Sequence, residues 1–98
     1  MDAQRDFLDE LIDDSTTVDP TFPNLLAAAE RRRALVRELV AKRRERGLTQ
    51  VAVAQAMATS QSAIARLEGL DDAKESVIDR YAAAIGVRVE RTVVDTAL

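Results

Sequence analysis

Apolar residues recur at helical spacing through most of the chain, in runs separated by short polar or glycine-containing stretches. A recurrence every three to four residues places side chains on one face of a helix, so each run predicts an amphipathic helix. The predicted helices cover residues 1–14, 25–46, 49–57, 60–69 and 76–86. Between the first two helices lies a predicted linker, residues 15–23, whose two prolines disfavour helix. Residues 70–75 are predicted to form a charged loop.

Residues that favour helix ends stand at the borders of these runs. The side chains of Ser, Thr and Asn accept hydrogen bonds from the free amides of a first helical turn. The predicted N-caps are Asn24, Thr49, Ser60 and Ser76. Glycine adopts the left-handed conformation that ends a helix at little cost. The three glycines, Gly47, Gly69 and Gly86, are therefore predicted to end the helices 25–46, 60–69 and 76–86.

The period changes to two after the last glycine, where Val87, Val89 and Val93 alternate with polar residues. This alternation predicts a short strand over residues 87–94. A lone strand leaves its backbone unpaired, so we expect it to pair with the same strand of a second copy. The predicted fold class is all-α with a short C-terminal strand, in two parts: an N-terminal segment, 1–24, and a helical domain, 25–98.

Composition supports this fold class and narrows the function. Hydrophobic residues make up 47% of the chain but aromatic residues only 3%, which suits closely packed helices. The chain has no histidine and no cysteine, so imidazole or thiolate metal sites and His-based catalysis are excluded. We expect no enzyme activity, no cofactor and no metal. The acidic loop Asp71, Asp72 and Glu75 lacks the ligand spacing of a calcium site.

Charge is unevenly distributed along the chain. The whole sequence carries a net charge of −3. Residues 1–24 contain seven acids and one base, a net charge of −6, whereas residues 25–98 have a net charge of +3. The helical domain is therefore basic, which is typical of a domain that binds nucleic acid. The N-terminus lacks the basic and apolar regions of a signal peptide, and we expect a cytoplasmic protein without a membrane segment.

The segment 49–68 has the pattern of two short helices joined by a tight turn. Its apolar residues Val53, Met57, Ile64 and Leu67 share the inward faces, and Ala54 is small enough for a close crossing. The second helix then presents polar groups outward, and its N-terminus offers free amides to a phosphate. Glutamine pairs with adenine and arginine with guanine in the major groove. The predicted DNA-contacting residues of this segment are Gln50, Thr59, Ser60, Gln61, Ser62, Ala65 and Arg66.

These residues resemble the helix-turn-helix of the Xre/Cro family, which includes lambdoid phage repressors and HigA-type antitoxins. The matching residues are Thr49-Gln50, Val53-Ala54, Thr59 to Gly69 and Tyr81 to Gly86, and the resemblance covers about residues 35–90. It implies a lambda-repressor-like bundle, DNA contacts from Gln50, Gln61, Ser62 and Arg66, and a structural role for Glu68. Two positions depart from the family pattern: Ala58 stands where a glycine is usual, and Thr59 where an apolar residue is usual.

A basic run, residues 31–46, precedes this segment. The three glutamates in and beside it, Glu30, Glu38 and Glu45, cannot neutralise its eight bases. The excess is either a solvated helix face or a phosphate-binding surface. We expect phosphate contacts from the three arginines nearest the segment, Arg43, Arg44 and Arg46.

The resemblance implies a homodimeric transcriptional repressor on an inverted-repeat operator of double-stranded DNA, in which two copies occupy successive major grooves. A narrower expectation is the antitoxin of a type II toxin-antitoxin pair that represses its own operon. The acidic segment 1–24 would then bind a basic RelE-like ribonuclease toxin, or it would pack on its own domain. The alternatives are a stand-alone Xre-type regulator and a protein-interaction module that does not bind DNA.

Overall fold

A computed structural model describes residues 22–69 and 73–96, which contain four helices. The helices are α1 (Pro23–Glu45), α2 (Gln50–Ala56), α3 (Gln61–Gly69) and α4 (Glu75–Ala84). Neighbouring helices α2 and α3 pack on each other, α1 contacts α3 and α4, and α2 also contacts α4. The predicted all-helical class is therefore confirmed. The predicted helix 1–14, the linker up to residue 21 and Asp71-Asp72 lie outside the described residues.

Helix α1 begins two residues earlier than predicted and without a side-chain cap. Phe22 is its N-cap residue, and Pro23 occupies the first helical position. Proline suits that position because its φ is already helical and its missing N–H would have no partner there. The prediction of Asn24 as N-cap was wrong. Asn24 lies within the first turn, where its Nδ2 donates a hydrogen bond of 3.3 Å to Thr96 Oγ1.

Three helices end in the same hydrogen-bond pattern. At the end of α1, the Gly47 amide donates to Arg44 O and the Leu48 amide to Arg43 O, with Gly47 at φ +68°. This is the Schellman motif, which places one residue in the left-handed conformation. The same pair of bonds ends α4, with Gly86 at φ +83°. The predicted roles of these two glycines are confirmed.

The third such end, that of α2, has an alanine in place of glycine. The amides of Ala58 and Thr59 donate to Gln55 O and Ala54 O, and Ala58 has φ +55°. A left-handed conformation costs an L-residue with a Cβ about 1–2 kcal/mol. The tight turn between α2 and α3 therefore forms with backbone strain at Ala58.

Two predicted helix-capping residues differ in the structure. Gly69 ends α3 as predicted, but it has no positive φ, so its predicted left-handed conformation was wrong. Helix α4 begins at Glu75, one residue before the predicted N-cap Ser76. Its N-cap residue is Lys74. An acidic residue in the first turn is favourable because the helix dipole is positive there. Ser76 is accordingly an exposed residue of the first turn.

The core lies where the four helices meet, and it is built from aliphatic residues and one tyrosine. All four apolar residues predicted to face inward in the 49–68 segment are buried, as is Ala54 at the α2–α3 crossing. The buried cluster consists of Val36, Leu39, Val53, Ala54, Met57, Ala63, Ile64, Leu67, Ala73, Val77, Ile78, Tyr81, Ala82 and Ile85.

The predicted strand over residues 87–94 is not seen, and no strand occurs in residues 22–69 and 73–96. The chain after Gly86 is extended instead, and its residues 88–96 make no backbone–backbone hydrogen bond among the described residues. This C-terminal segment, 87–96, starts beside α1, where Val87 and Val89 line a groove with Leu35 and Leu39. It then passes α4, where Arg91 pairs with Asp79 at 3.0 Å. The segment therefore has no neighbouring strand among the described residues.

Candidate nucleic-acid interface

Two hydroxyl side chains set the starts of α2 and α3. Thr49 Oγ1 accepts a hydrogen bond from the Ala52 amide at 3.0 Å, and Ser60 Oγ accepts one from the Ala63 amide at 3.1 Å. Both predicted N-caps are therefore confirmed. Each cap occupies one amide of a first turn, and the helix itself supplies no partner for the other amides of that turn. The N-terminus of α3 thus combines a capped start with N–H groups that have no partner within the helix.

The outward face of α3 carries the side chains that the helical period predicted to be exposed. Gln61, Ser62, Ala65 and Arg66 are all exposed, whereas Ala63, Ile64 and Leu67 between them are buried. The Ser62 hydroxyl lies 3.1 Å from that of Ser60. The structure therefore brings together one amide, two hydroxyls, one methyl and one guanidinium on a single helix face. We call these residues, Ser60, Gln61, Ser62, Ala65 and Arg66, the α3 face.

Thr59 does not belong to the α3 face, although it was among the predicted DNA-contacting residues. Its Oγ1 atom is buried and has no hydrogen-bond partner among the described residues. A buried hydroxyl cannot reach a base edge or a phosphate. We therefore do not retain Thr59 as a contact residue. The unpaired hydroxyl lies at a position for which the family pattern favours an apolar side chain.

Gln50 is hydrogen-bonded both to Gln61 of the α3 face and to the part-buried Glu68. Its Nε2 donates a hydrogen bond of 3.0 Å to Glu68 Oε1, and its Oε1 accepts one of 2.6 Å from Gln61 Nε2. The sequence predicted a DNA contact for Gln50 and no contact with Gln61. The placement of one glutamine at the start of each helix was the signal that could have indicated the pair.

Glu68 lies at the centre of a part-buried polar network. Arg43 donates to both of its carboxylate oxygens, at 2.7 and 3.1 Å, and the Tyr81 hydroxyl donates to Oε2 at 2.6 Å. Burial alone would raise the pKa of Glu68, but the hydrogen bonds from Arg43, Tyr81 and Gln50 outweigh it and lower that pKa below 4.5. The carboxylate is therefore ionised at neutral pH. The structural role that the resemblance implied for Glu68 matches this geometry.

The same network shifts the pKa of both other ionisable members. The hydrogen bond to Glu68 raises the pKa of Arg43, against the opposing effect of burial. Burial, together with the hydrogen bond to Glu68, raises the pKa of Tyr81 above its ordinary value of 10. Arg43 thus stays charged and Tyr81 neutral. Tyr81 was not among the predicted site residues, and only its family-like position before Gly86 indicated it.

Two of the three arginines expected at phosphates donate hydrogen bonds to other groups of the protein. Arg43 is only 7% exposed and also donates to Leu48 O at 2.8 Å. Arg46 donates to Ile85 O and Gly86 O, at 3.0 and 3.1 Å, which ties the end of α1 to the end of α4. We therefore do not retain a phosphate contact for Arg43. Arg44 is exposed and remains the candidate of the three.

The described residues contain neither a candidate metal cluster nor a membrane-spanning helix. Residues 22–69 and 73–96 contain no cluster of three or more acidic side chains able to hold a metal ion. None of the helices in this part of the chain combines the length and apolar character needed to cross a bilayer.

Comparison with known proteins found no matching family model and no matching solved structure. Among curated proteins, the chain is 37% identical over 79 residues to the antitoxin HigA1 of two Mycobacterium tuberculosis strains, CDC 1551 / Oshkosh and ATCC 25618 / H37Rv. The alignment covers 80% of this chain and 53% of each relative, so the chain spans about half the length of the relatives it matches. Over four fifths of its sequence, the protein is thus similar to HigA1 antitoxins.

Proposed function

We propose that the protein is a sequence-specific DNA-binding repressor and the antitoxin of a type II toxin-antitoxin pair, with a lambda-repressor-like bundle that places α3 in the major groove. The α3 face carries this proposal. The side chains of Gln61, Ser62 and Arg66 are exposed on a capped helix whose opposite side is buried in the core. A helix presented in this way fits the major groove, and its side chains match base-edge chemistry. The similarity to HigA1 antitoxins supports the antitoxin reading.

Selection from a random duplex pool tests DNA binding directly. The purified chain is used at about 150 mM salt, where binding through phosphates alone is weak. We expect an enriched inverted repeat whose half-sites lie about 34 Å apart, as two copies on one face of the duplex require. A pool without enrichment would contradict the DNA-binding proposal and leave the protein-interaction module as the better explanation.

Single substitutions then separate base contacts from phosphate contacts. Arg66→Ala should weaken binding to the selected site by about 1–3 kcal/mol and relax one base position in each half-site. Arg44→Ala should weaken binding to all sequences alike and lower the salt slope by about one. Arg31→Ala is the matched control, because this exposed arginine lies in the first half of α1, far along the helix from Arg44 and outside the C-terminal segment. An unchanged base preference in the Arg66 variant would refute its role.

The homodimer is proposed to form through the C-terminal segment. Val93 is 98% exposed and Val94 69% exposed, and the backbone around them is unpaired among the described residues. An extended edge of this kind pairs readily with another strand. Deletion of residues 87–98 should yield a monomer in sedimentation analysis. A dimer that survives the deletion would place the interface elsewhere.

The toxin partner is proposed from charge. Residues 1–24 carry a net charge of −6, which is complementary to a basic RelE-like ribonuclease. Replacing the seven acidic residues by their amides should abolish neutralisation of such a toxin's ribonuclease activity but leave DNA selection intact. If the unaltered chain selects DNA without neutralising the toxin, the protein is a stand-alone regulator.

A further inference from the structure

We propose that residues 1–14 dock, through their apolar side, on the exposed start of α1, where Phe22, Leu25 and Val94 lie together. We call these three residues the end patch. The docking goes beyond the proposed function, because it concerns the chain without DNA or toxin. It can therefore be tested, and can fail, independently of DNA selection and of toxin neutralisation.

The inward stripe of α1 extends beyond the part of the helix that the core covers. The stripe recurs every three or four residues, which places its members on one face: Leu25, Ala29, Arg32, Val36 and Leu39. Ala29, Val36 and Leu39 are buried, whereas Leu25 is 53% exposed. Phe22, immediately before the helix, is 56% exposed. The first turn of α1 therefore presents apolar surface that continues the buried stripe.

The exposed apolar side chains gather at this end of the molecule. The large apolar residues exposed in the described part of the chain are Phe22, Leu25, Val51, Val93 and Val94. The hydrogen bond from Asn24 to Thr96 brings the end of the C-terminal segment beside the first turn of α1. Extended residues two apart point to the same side, so Val94 shares the side of Thr96. A group of exposed apolar side chains, unlike a single one, marks a site of interaction.

Chain connectivity favours residues 1–14 as the occupant of the end patch. Phe22 is the first described residue and belongs to the patch, so the 21 residues before it start there. The connection, residues 15–21, reaches at most about 25 Å when extended, which keeps residues 1–14 close to the patch. This segment also contains the apolar set predicted to share one helix face: Phe7, Leu8, Leu11 and Ile12. It therefore offers a matching apolar side at short range.

Charge favours this segment over a second copy of the helical domain. Residues 1–14 carry six acids and one base, a net charge of −5, whereas residues 25–98 carry +3 and would repel a second +3. Arg32, two turns along the stripe from Leu25, lies beside the patch and can meet the acids. At helical spacing, Asp2, Asp6, Asp9 and Asp13 lie opposite the apolar side. Docking thus leaves these acids facing outward, toward the basic partner proposed above.

Backbone NMR of the ¹⁵N-labelled full chain tests the docking directly. We expect the amide signals of residues 7–12 to differ from those of the isolated peptide 1–14. Leu25→Ser should move these signals to the values of the peptide, because it removes an apolar side chain from the end patch. Val51→Ser is the matched control and should leave them unchanged, because Val51 is 51% exposed but lies on α2.

Leu11→Ser repeats the test from the other partner, in a residue outside the four helices. It should shift the amide signals of Leu25 and Val94 and leave those of α3 in place. The proposal is overturned if residues 7–12 of the unaltered chain already give the signals of the isolated peptide, or if Leu25→Ser and Val51→Ser act alike. It is also overturned if dilution of the unaltered chain moves these signals to the peptide values, because the segment then docks on a second copy.

Discussion

Ala58→Gly should stabilise the protein, although glycine normally weakens a folded chain. Ala58 has φ +55° at the end of α2, and its side chain is exposed, so removal of the methyl group opens no cavity. Relief of the left-handed conformation gains about 1–2 kcal/mol. The greater freedom of glycine in the unfolded chain costs about 0.5–1 kcal/mol. The net expectation is a gain of about 0.5–1 kcal/mol.

The matched control is Ala41→Gly, which makes the same chemical change at an exposed position within α1. With ordinary helical geometry there, glycine should cost about 1 kcal/mol. For a chain of this size, the expected gain at Ala58 corresponds to a Tm rise of about 2–8 °C. Urea and thermal denaturation of both variants and the unaltered chain measure the two free energies of unfolding. If both glycine variants are destabilised equally, the strain assigned to Ala58 is absent.

Three further variants concern the polar groups between the helices. Glu68→Gln should lower the free energy of unfolding by about 3–5 kcal/mol, because it leaves the buried Arg43 guanidinium without its counter-charge. Thr59→Val should raise it by about 1–3 kcal/mol, since it replaces a buried hydroxyl without a partner by a methyl group. The pH dependence should follow the pKa shifts of Glu68 and Tyr81. The pKa of Tyr81 is raised in the folded state, so its contribution is complete below the unfolded value of about 10 and is lost as the pH rises above it. That loss should be absent in Tyr81→Phe. The pKa of Glu68 is lowered, so its contribution is complete above pH 4.5 and is lost as the pH falls toward the folded-state pKa.

Each of these expectations has a measurement that would contradict it. Glu38→Gln, at an exposed glutamate of α1, should change stability by no more than about 0.5 kcal/mol. If Glu68→Gln changes the free energy of unfolding by as little as Glu38→Gln does, the buried Arg43 guanidinium does not need Glu68 as its counter-charge. A Thr59→Val variant less stable than the parent would mean that the hydroxyl is paired in solution. An unchanged alkaline transition in Tyr81→Phe would assign that transition to another group.

The sequence predicted the helices well because local signals determine them. The caps Thr49 and Ser60 and the ends at Gly47 and Gly86 each depend on residues a few positions apart. The start of α1 was mispredicted because two local signals competed there, a proline at the first helical position and an asparagine after it. The strand was predicted from alternation alone, although alternation cannot supply a neighbouring strand.

The outward face of α3 could be predicted for the same local reason, since the helical period fixes which side chains point away from the core. The polar network could not. Arg43 lies in a run of similar arginines, and only the fold shows that it meets Glu68, 25 positions away. Likewise, the pairing of Gln50 with Gln61 depends on how closely two helices cross. The composition of that run gives eight bases, but it does not show which of them donate hydrogen bonds within the protein.

The C-terminal segment runs back along α1 toward its start, and few hydrogen bonds hold it there. Arg46 holds its start at Gly86, and Asn24 meets Thr96 near its end, but its backbone amides between residues 88 and 96 have no backbone–backbone partner among the described residues. Surface ion pairs such as that of Arg91 contribute little to holding it. The segment can therefore lift away as a unit while the four helices stay folded. Hydrogen exchange should be fast in the segment and slow in α3, so binding of a partner there would slow exchange without any change in the bundle.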